Sequence, residues 1–207
     1  MAAPGRLIAL EGVDGCGKST HAHGLADALG ALCTAEPGAT ALGARLRALV
    51  LDPELPAISP RAEALLMAAD RAEHVAEVVS PALDAGRWVV ADRFSASTLA
   101  YQGYGRRLDL TVLGALVAWA AAGVTPDLTV LLDVPLDVAR RRLGAQRADR
   151  LEGLGADFHE RVRAGYLEMA AADPAWVVVD GTGDEGDVAA LVLAAVTERL
   201  GTPSGAS

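Results

Sequence analysis

Leu7-Ile-Ala-Leu10-Glu11-Gly12-Val13-Asp14-Gly15-Cys16-Gly17-Lys18-Ser19-Thr20 is the stretch from which the rest of the chain is read. The apolar run Leu7–Leu10 is short and continuous, as a strand buried on both faces should be. Lys18–Leu29 carries helical spacing and stops at Gly30, a residue that closes helices by taking left-handed backbone. Between them, Gly12 to Ser19 fit G-x-x-x-x-G-K-[ST], in the strand-to-helix context that gives this pattern meaning. Gly12, Gly15 and Gly17 let the backbone curl until its N–H groups point at a phosphate, with Val13, Asp14, Cys16 and Thr20 in the same cradle. The helix N-terminus adds positive potential. Lys18 is placed to reach the outer phosphates of a nucleotide, and Ser19 to hold Mg²⁺.

The composition sharpens this reading. Of 18 cationic residues, 17 are arginine, so Lys18 is the only lysine, and the chain has no asparagine. A compact ammonium does a job here that a planar guanidinium cannot. A GTPase would read its base with an Asn-Lys-x-Asp segment, which this sequence cannot supply. A small kinase is the natural reading.

Outward from the loop, apolar runs alternate with amphipathic stretches. Strands are expected at Ala31–Thr34, Trp88–Ala91, Leu128–Leu132 and Trp176–Val179. Helices are expected at Leu42–Leu51, Leu110–Ala122, Leu136–Leu143, Asp157–Ala172 and Asp187–Leu200. Pro60–Leu83 reads as one long helix, kinked at Pro81. Strand then helix, about five times over, predicts an α/β fold with a parallel sheet covered on both faces. With 207 residues, 52% of them hydrophobic, the chain can bury a proper core, and disorder is excluded. A net charge of −9 argues against a sequence-independent DNA, RNA or anionic-membrane binder. No targeting segment or bilayer span of about 20 residues is visible, so the expectation is a soluble, cytoplasmic protein. Cys16 and Cys33 cannot make a disulfide scaffold. His21, His23, His74 and His159 show no metal spacing with them and are read as structural or solvated.

Three further groups carry charge that suits phosphate chemistry. Asp92-Arg93 ends the Trp88–Ala91 strand, on the ligand edge of a parallel sheet. Asp92 is placed for the Mg²⁺ shell and Arg93 for a phosphate. Asp70-Arg71 lies in the long helix, Arg71 one turn from Met67 on the same face. By itself that pair fits a solvated face. Arg140, Arg141, Arg142, Arg147 and Arg150 crowd into eleven residues beside Gly144, which fits an arginine-bearing flap. Arg140 and Arg141 fit an exposed helix face equally well.

Taken together, these residues resemble the thymidylate (dTMP) kinase family from about Arg6 to Val196. The matching pieces are Glu11–Thr20, Glu36-Pro37-Gly38, Leu46-Arg47, Asp70–His74, Asp92-Arg93-Phe94 with Ser97-Thr98, and Tyr101-Gln102-Gly103. Pro126–Leu128, Leu132–Val134 and Asp149–Glu152 complete the set. The resemblance implies a three-layer P-loop kinase domain over 1–207, with a lid at about 143–153 and a flexible tail at about 201–207. It implies ATP and Mg²⁺, transfer of the γ-phosphate to dTMP, and a homodimer. It places Arg71 and Arg93 on the acceptor phosphate and Asp14 near the sugar 3′-hydroxyl. Glu36 and Asp92 fall near the reacting phosphates. Arg47, Thr98 and Gln102 line the nucleoside pocket. The catalytic lid arginine is best matched by Arg150, then Arg147. Three positions depart from the family pattern. Met67 stands where a phenylalanine usually meets the thymine, Ala35 replaces the arginine before Glu-Pro-Gly, and Ala39 replaces its second glycine. Two alternatives therefore stay open: a pocket retuned for dUMP or a modified pyrimidine deoxynucleotide, and an inactive nucleotide-binding paralogue.

Overall fold

A computed structural model of the protein describes residues 5–55, 57–144 and 150–203. Five strands form the sheet: β1 (Leu7–Glu11), β2 (Leu32–Ala35), β3 (Val89–Asp92), β4 (Leu128–Asp133) and β5 (Trp176–Asp180). Their order is β2-β3-β1-β4-β5, and every neighbouring pair is parallel. The helices are α1 (Lys18–Leu29), α2 (Ala41–Leu51), α3 (Pro60–His74), α4 (Ser80–Asp84), α5 (Ser95–Thr98), α6 (Leu110–Ala120), α7 (Leu136–Leu143), α8 (Ala156–Ala172) and α9 (Glu185–Leu200). Each expected strand and helix is present, with ends shifted by at most two residues.

The alternation of side chains along the strands sorts the core into two layers. Ile8, Leu10 and Val90 face one way, onto Ala22, Leu25 and Leu29 of α1 and Val188, Val192 and Val196 of α9. Leu7, Ala9, Val89 and Ala91 face the other way, onto Val75, Val79 and Ala82. Both faces are covered, which is why the strands read as unbroken apolar runs. Among the described residues no helix is long and apolar enough to cross a membrane.

Two local expectations need correction. The irregularity in the long helix lies one turn ahead of Pro81, where Val75–Val79 is a π-turn and the Ser80 N–H bonds to the Val75 carbonyl. Pro81 has no N–H and its ring crowds the preceding turn, so the ladder widens there and the helix runs on into α4. The second concerns residues 95–105, for which no helix was expected. They form α5 and a π-turn, Leu99–Gly105. Glycines 103 and 105 hid it. They are there for close approach, since a Cβ on Gly105 would stand 2.6 Å from the Phe158 ring of α8. Residues 145–149 of the expected lid, Arg147 among them, lie outside the described residues, as do 204–207 of the expected tail.

Candidate active site

The phosphate loop joins β1 to α1 at the carboxyl edge of the sheet. Gly12 has φ +145°, and a Cβ there would stand 2.6 Å from the Leu132 carbonyl oxygen. Only glycine lets the loop pass β4 this closely. Gly17 caps α1 in left-handed backbone, with no side-chain cap and no acid in the first turn. The first N–H groups of α1 are thus left for an anion. Lys18 is 6% exposed, and its Nζ donates to the Val13 carbonyl at 2.8 Å across the loop. Cys16 is fully buried, its Sγ 3.7 Å from Lys18 Nζ.

Ser19 Oγ donates to Asp92 Oδ2 at 2.5 Å, so the loop and the end of β3 meet. The other oxygen, Asp92 Oδ1, is buried and has no hydrogen-bond partner among the described residues. A hydroxyl beside a half-satisfied carboxylate is a hard-oxygen set that fits Mg²⁺, which keeps most of its waters and needs few protein ligands.

Arg93 follows at φ +70°, a conformation that L side chains avoid. Glu11 holds it there. The fully buried Glu11 carboxylate accepts the N–H groups of Phe94 (2.8 Å) and Ser97 (3.2 Å), the Ser97 hydroxyl (2.7 Å) and the Tyr166 hydroxyl (2.8 Å). It caps α5 from outside the helix and fixes the turn that aims Arg93. Burial pushes the Glu11 carboxyl up, against the nearby Arg93 charge. The Arg93 guanidinium pairs with Asp14 and donates to the Gly12 carbonyl, Ser97 and the hydroxyls of Tyr101 and Tyr166. Its carbon also lies 5.0 Å from the Tyr101 ring centroid. Burial opposes the charge on Asp14, but Arg93 and Lys18 outweigh it and pull the carboxyl down to about 2.

The far wall comes from α3. Arg71 is 2% exposed and Asp70 likewise, so the solvated-face reading of this pair is wrong. The helix packs inward at this point because Glu36, after β2, supplies the counter-charge. Arg71 donates to Glu36 Oε2 from Nε (3.0 Å) and Nη2 (2.8 Å), to Thr98 Oγ1 (3.0 Å) and to the Phe94 carbonyl (3.0 Å). His74 Nδ1 meets the other Glu36 oxygen at 2.8 Å, and its Nε2 meets Thr34 Oγ1 at 2.7 Å. Asp70 accepts the Gly38 N–H at 3.0 Å. Burial, then the Glu36 charge, raises its carboxyl to about 6.

All this surrounds one cavity of about 400 Å³. The phosphate-loop side contributes Asp14, Gly15, Gly17, Lys18, Ser19 and Thr20, with Asp92 and Arg93 beside it. The opposite side contributes Glu36, Arg47, Met67, Arg71, Thr98 and Gln102. Arg47 donates to the Pro37 carbonyl at 2.9 Å. Gly12, Val13 and Cys16 shape the loop from behind. Arg150 does not line the cavity. Its Nη2 is on Glu63 at 2.7 Å and its Nε on the Val50 carbonyl at 2.7 Å. Sequence reasoning missed Tyr166 and Glu63 altogether. One is a lone tyrosine on a distant helix, the other a first-turn acid that looks like ordinary helix-dipole compensation.

The arrangement is a phosphate cradle facing a second, arginine-walled pocket across one cavity. The thymidylate kinase family model matches residues 10–192. The thymidylate kinase of Carboxydothermus hydrogenoformans is 49% identical over 183 residues, 86% of this chain and 89% of that one. That of Leifsonia xyli subsp. xyli is 48% identical over 206 residues, 95% of this chain and 97% of its own. The crystal structure of thymidylate kinase from Ehrlichia chaffeensis superposes with a TM-score of 0.77 at 29% identity, over 93% of this chain and all of that one. With the family model matching most of the chain and relatives 48–49% identical over most of its length, the chain belongs to the thymidylate kinase family.

Proposed function

We propose that the protein transfers the γ-phosphate of ATP to dTMP, giving dTDP and ADP. The observation that carries this reading is a single cavity with Lys18 on the phosphate-loop side, Arg71 on the opposite side and Arg93 beside the loop. Two polyanions brought together need cations on both sides of the transferred group. Lys18 and the N–H groups of the loop hold the donor phosphates. Arg93, fixed by Asp14 and the tyrosine hydroxyls, holds the acceptor phosphate with Arg71. Asp14 and Tyr101 face the deoxyribose. Glu36 anchors Arg71 on the acceptor side. Ser19 and Asp92 hold Mg²⁺, which when bound offsets the negative charge of the phosphates. Arg150 serves the transferred phosphoryl only after leaving Glu63, and Arg147 belongs to the same segment. The test is ADP release with ATP, Mg²⁺ and a panel of nucleoside monophosphates. dTMP is expected to lead. A lead for dUMP or a 5-substituted analogue would mean a retuned pocket, and silence an inactive relative.

Met67 lines the acceptor end of the cavity. A thioether against a ring contributes about 0.3–1.5 kcal/mol. An aromatic ring in its place orients the base more sharply. Met67→Phe is expected to lower KM for dTMP by about threefold to tenfold, within the 0.5–1.5 kcal/mol that aromatic pairs add. Steady-state kinetics in dTMP checks this, and an unchanged KM would place the base elsewhere.

A homodimer is also proposed. On α6 the exposed residues Val112, Ala115 and Trp119 share one face, and on α3 Leu65, Ala69 and Ala72 do the same. Trp119 is 81% exposed and Val112 67%. An apolar face of this kind on a small enzyme is a mark of association. Trp119→Glu is expected to shift the protein from dimer to monomer in sedimentation at micromolar concentration. A wild-type monomer would overturn the proposal. A cytoplasmic location fits two free thiols and an acidic chain using ATP.

A further inference from the structure

Glu63 sits in the first turn of α3 and is fully buried, away from the phosphate chemistry. Its carboxylate is saturated. Oε1 accepts Gln102 Nε2 at 2.9 Å and Arg106 Nε at 3.2 Å. Oε2 accepts Arg106 Nη2 at 2.8 Å and Arg150 Nη2 at 2.7 Å. Burial works against its charge, but the hydrogen bonds from Arg106, Gln102 and Arg150 prevail and hold its carboxyl below the usual range. An ionised carboxylate only accepts.

That fixes the amide of Gln102. Its NH₂ must face Glu63, because the carbonyl oxygen there would meet another acceptor. The side chain is 2% exposed and lines the cavity with Met67, Arg71 and Thr98. Its Oε1 makes no hydrogen bond to the described residues and is left for a ligand. A glutamine free to turn would offer either a donor or an acceptor. This one is held by one N–H on Glu63, so its carbonyl oxygen keeps a fixed place toward the cavity. Arg106 keeps Glu63 charged even when Arg150 moves away.

We propose that Glu63 is a specificity-determining positioning residue of the acceptor site. By holding Gln102 with its carbonyl oxygen toward the cavity, it selects nucleobases that present a ring N–H there, the uracil-type imide. It disfavours cytosine-type rings, whose N3 is a bare acceptor. Two acceptors facing each other in a dry pocket leave both unsatisfied. This inference rests on the reading of the acceptor as dTMP.

Two measurements test it. Wild-type turnover of dTMP tests the functional reading by itself, independently of Glu63. In the first measurement, kcat/KM for dTMP and for dCMP is compared between wild type and Glu63→Gln. A neutral amide at 63 both donates and accepts, so it no longer dictates the orientation of Gln102. The dTMP/dCMP ratio is expected to fall by on the order of tenfold or more, mostly through a higher KM for dTMP. A purely structural Glu63 would lower both acceptors alike, and an unchanged ratio overturns the proposal. The second needs no variant. Binding of dTMP and its N3-methyl analogue to the wild type is compared by calorimetry. Loss of the N–H is expected to weaken binding by on the order of 10²-fold or more. Equal affinities overturn the proposal.

Discussion

Lys18→Ala is expected to lower kcat by about 10²- to 10³-fold, the usual loss when one donor aimed at transition-state charge is removed. Melting should change little. Lys18 spans the loop by a bond from its ammonium to the Val13 carbonyl and a weaker one to Cys16 Sγ. Removing it also removes a buried charge, which offsets part of the lost packing. Lys18→Arg should not restore turnover. The loop closes over a compact ammonium at 6% exposure, and a planar fork does not fit the same space. Steady-state kinetics beside a thermal melt separates the outcomes. Turnover within a few-fold of wild type would place the phosphate chemistry elsewhere. Loss of the folded state would make Lys18 a structural residue.

Arg71→Met should have the largest effect on stability. It removes the guanidinium from Glu36 Oε2 and leaves that buried carboxylate with His74 alone among the described residues, since the Arg71 and Glu36 side chains are 3% and 4% exposed. Breaking a pair of this kind costs about 3–5 kcal/mol. For a chain of this size each kcal/mol moves Tm by about 2–4 °C. A fall of about 6–20 °C follows. The loss should not be additive. Glu36→Gln with Arg71→Met removes the orphaned charge, so the double variant should melt above the Arg71→Met single variant. The acceptor KM should rise in both, because the guanidinium proposed to hold the acceptor phosphate is gone. A single variant that melts like wild type would show that water reaches Glu36.

How much of this was legible beforehand depended on whether a residue's neighbours were local. The phosphate loop was legible because its chemistry is consecutive: a strand, three glycines, a lysine and a helix start within fourteen residues. Asp92-Arg93 was legible from its place at a strand end. Arg71 was visible as a candidate but not as a buried one. Its burial depends on Glu36, which is 35 positions away in sequence and meets it only across the fold. The helix at 95–105 was missed because glycine reads as a helix breaker. Here Gly105 marks where Phe158 of α8 comes close.

Hydrophobic periodicity and the loop motif therefore determined the α/β class, the parallel sheet and the position of the phosphate cradle, while the family resemblance also needed Asp92-Arg93-Phe94 and Tyr101-Gln102-Gly103. Each of these is written in spacings of a few residues. Only the tertiary structure decided that Glu11, Ser97 and Tyr166 lock the turn at Arg93. Only it placed Arg150 on Glu63, outside the cavity, and turned the Gln102 NH₂ onto Glu63. Those facts arise from hydrogen bonds between residues 39 to 155 positions apart. Burial forces such bonds to be satisfied, since an unpaired polar group in the core is costly. Nothing in the local pattern says which distant partner will satisfy them.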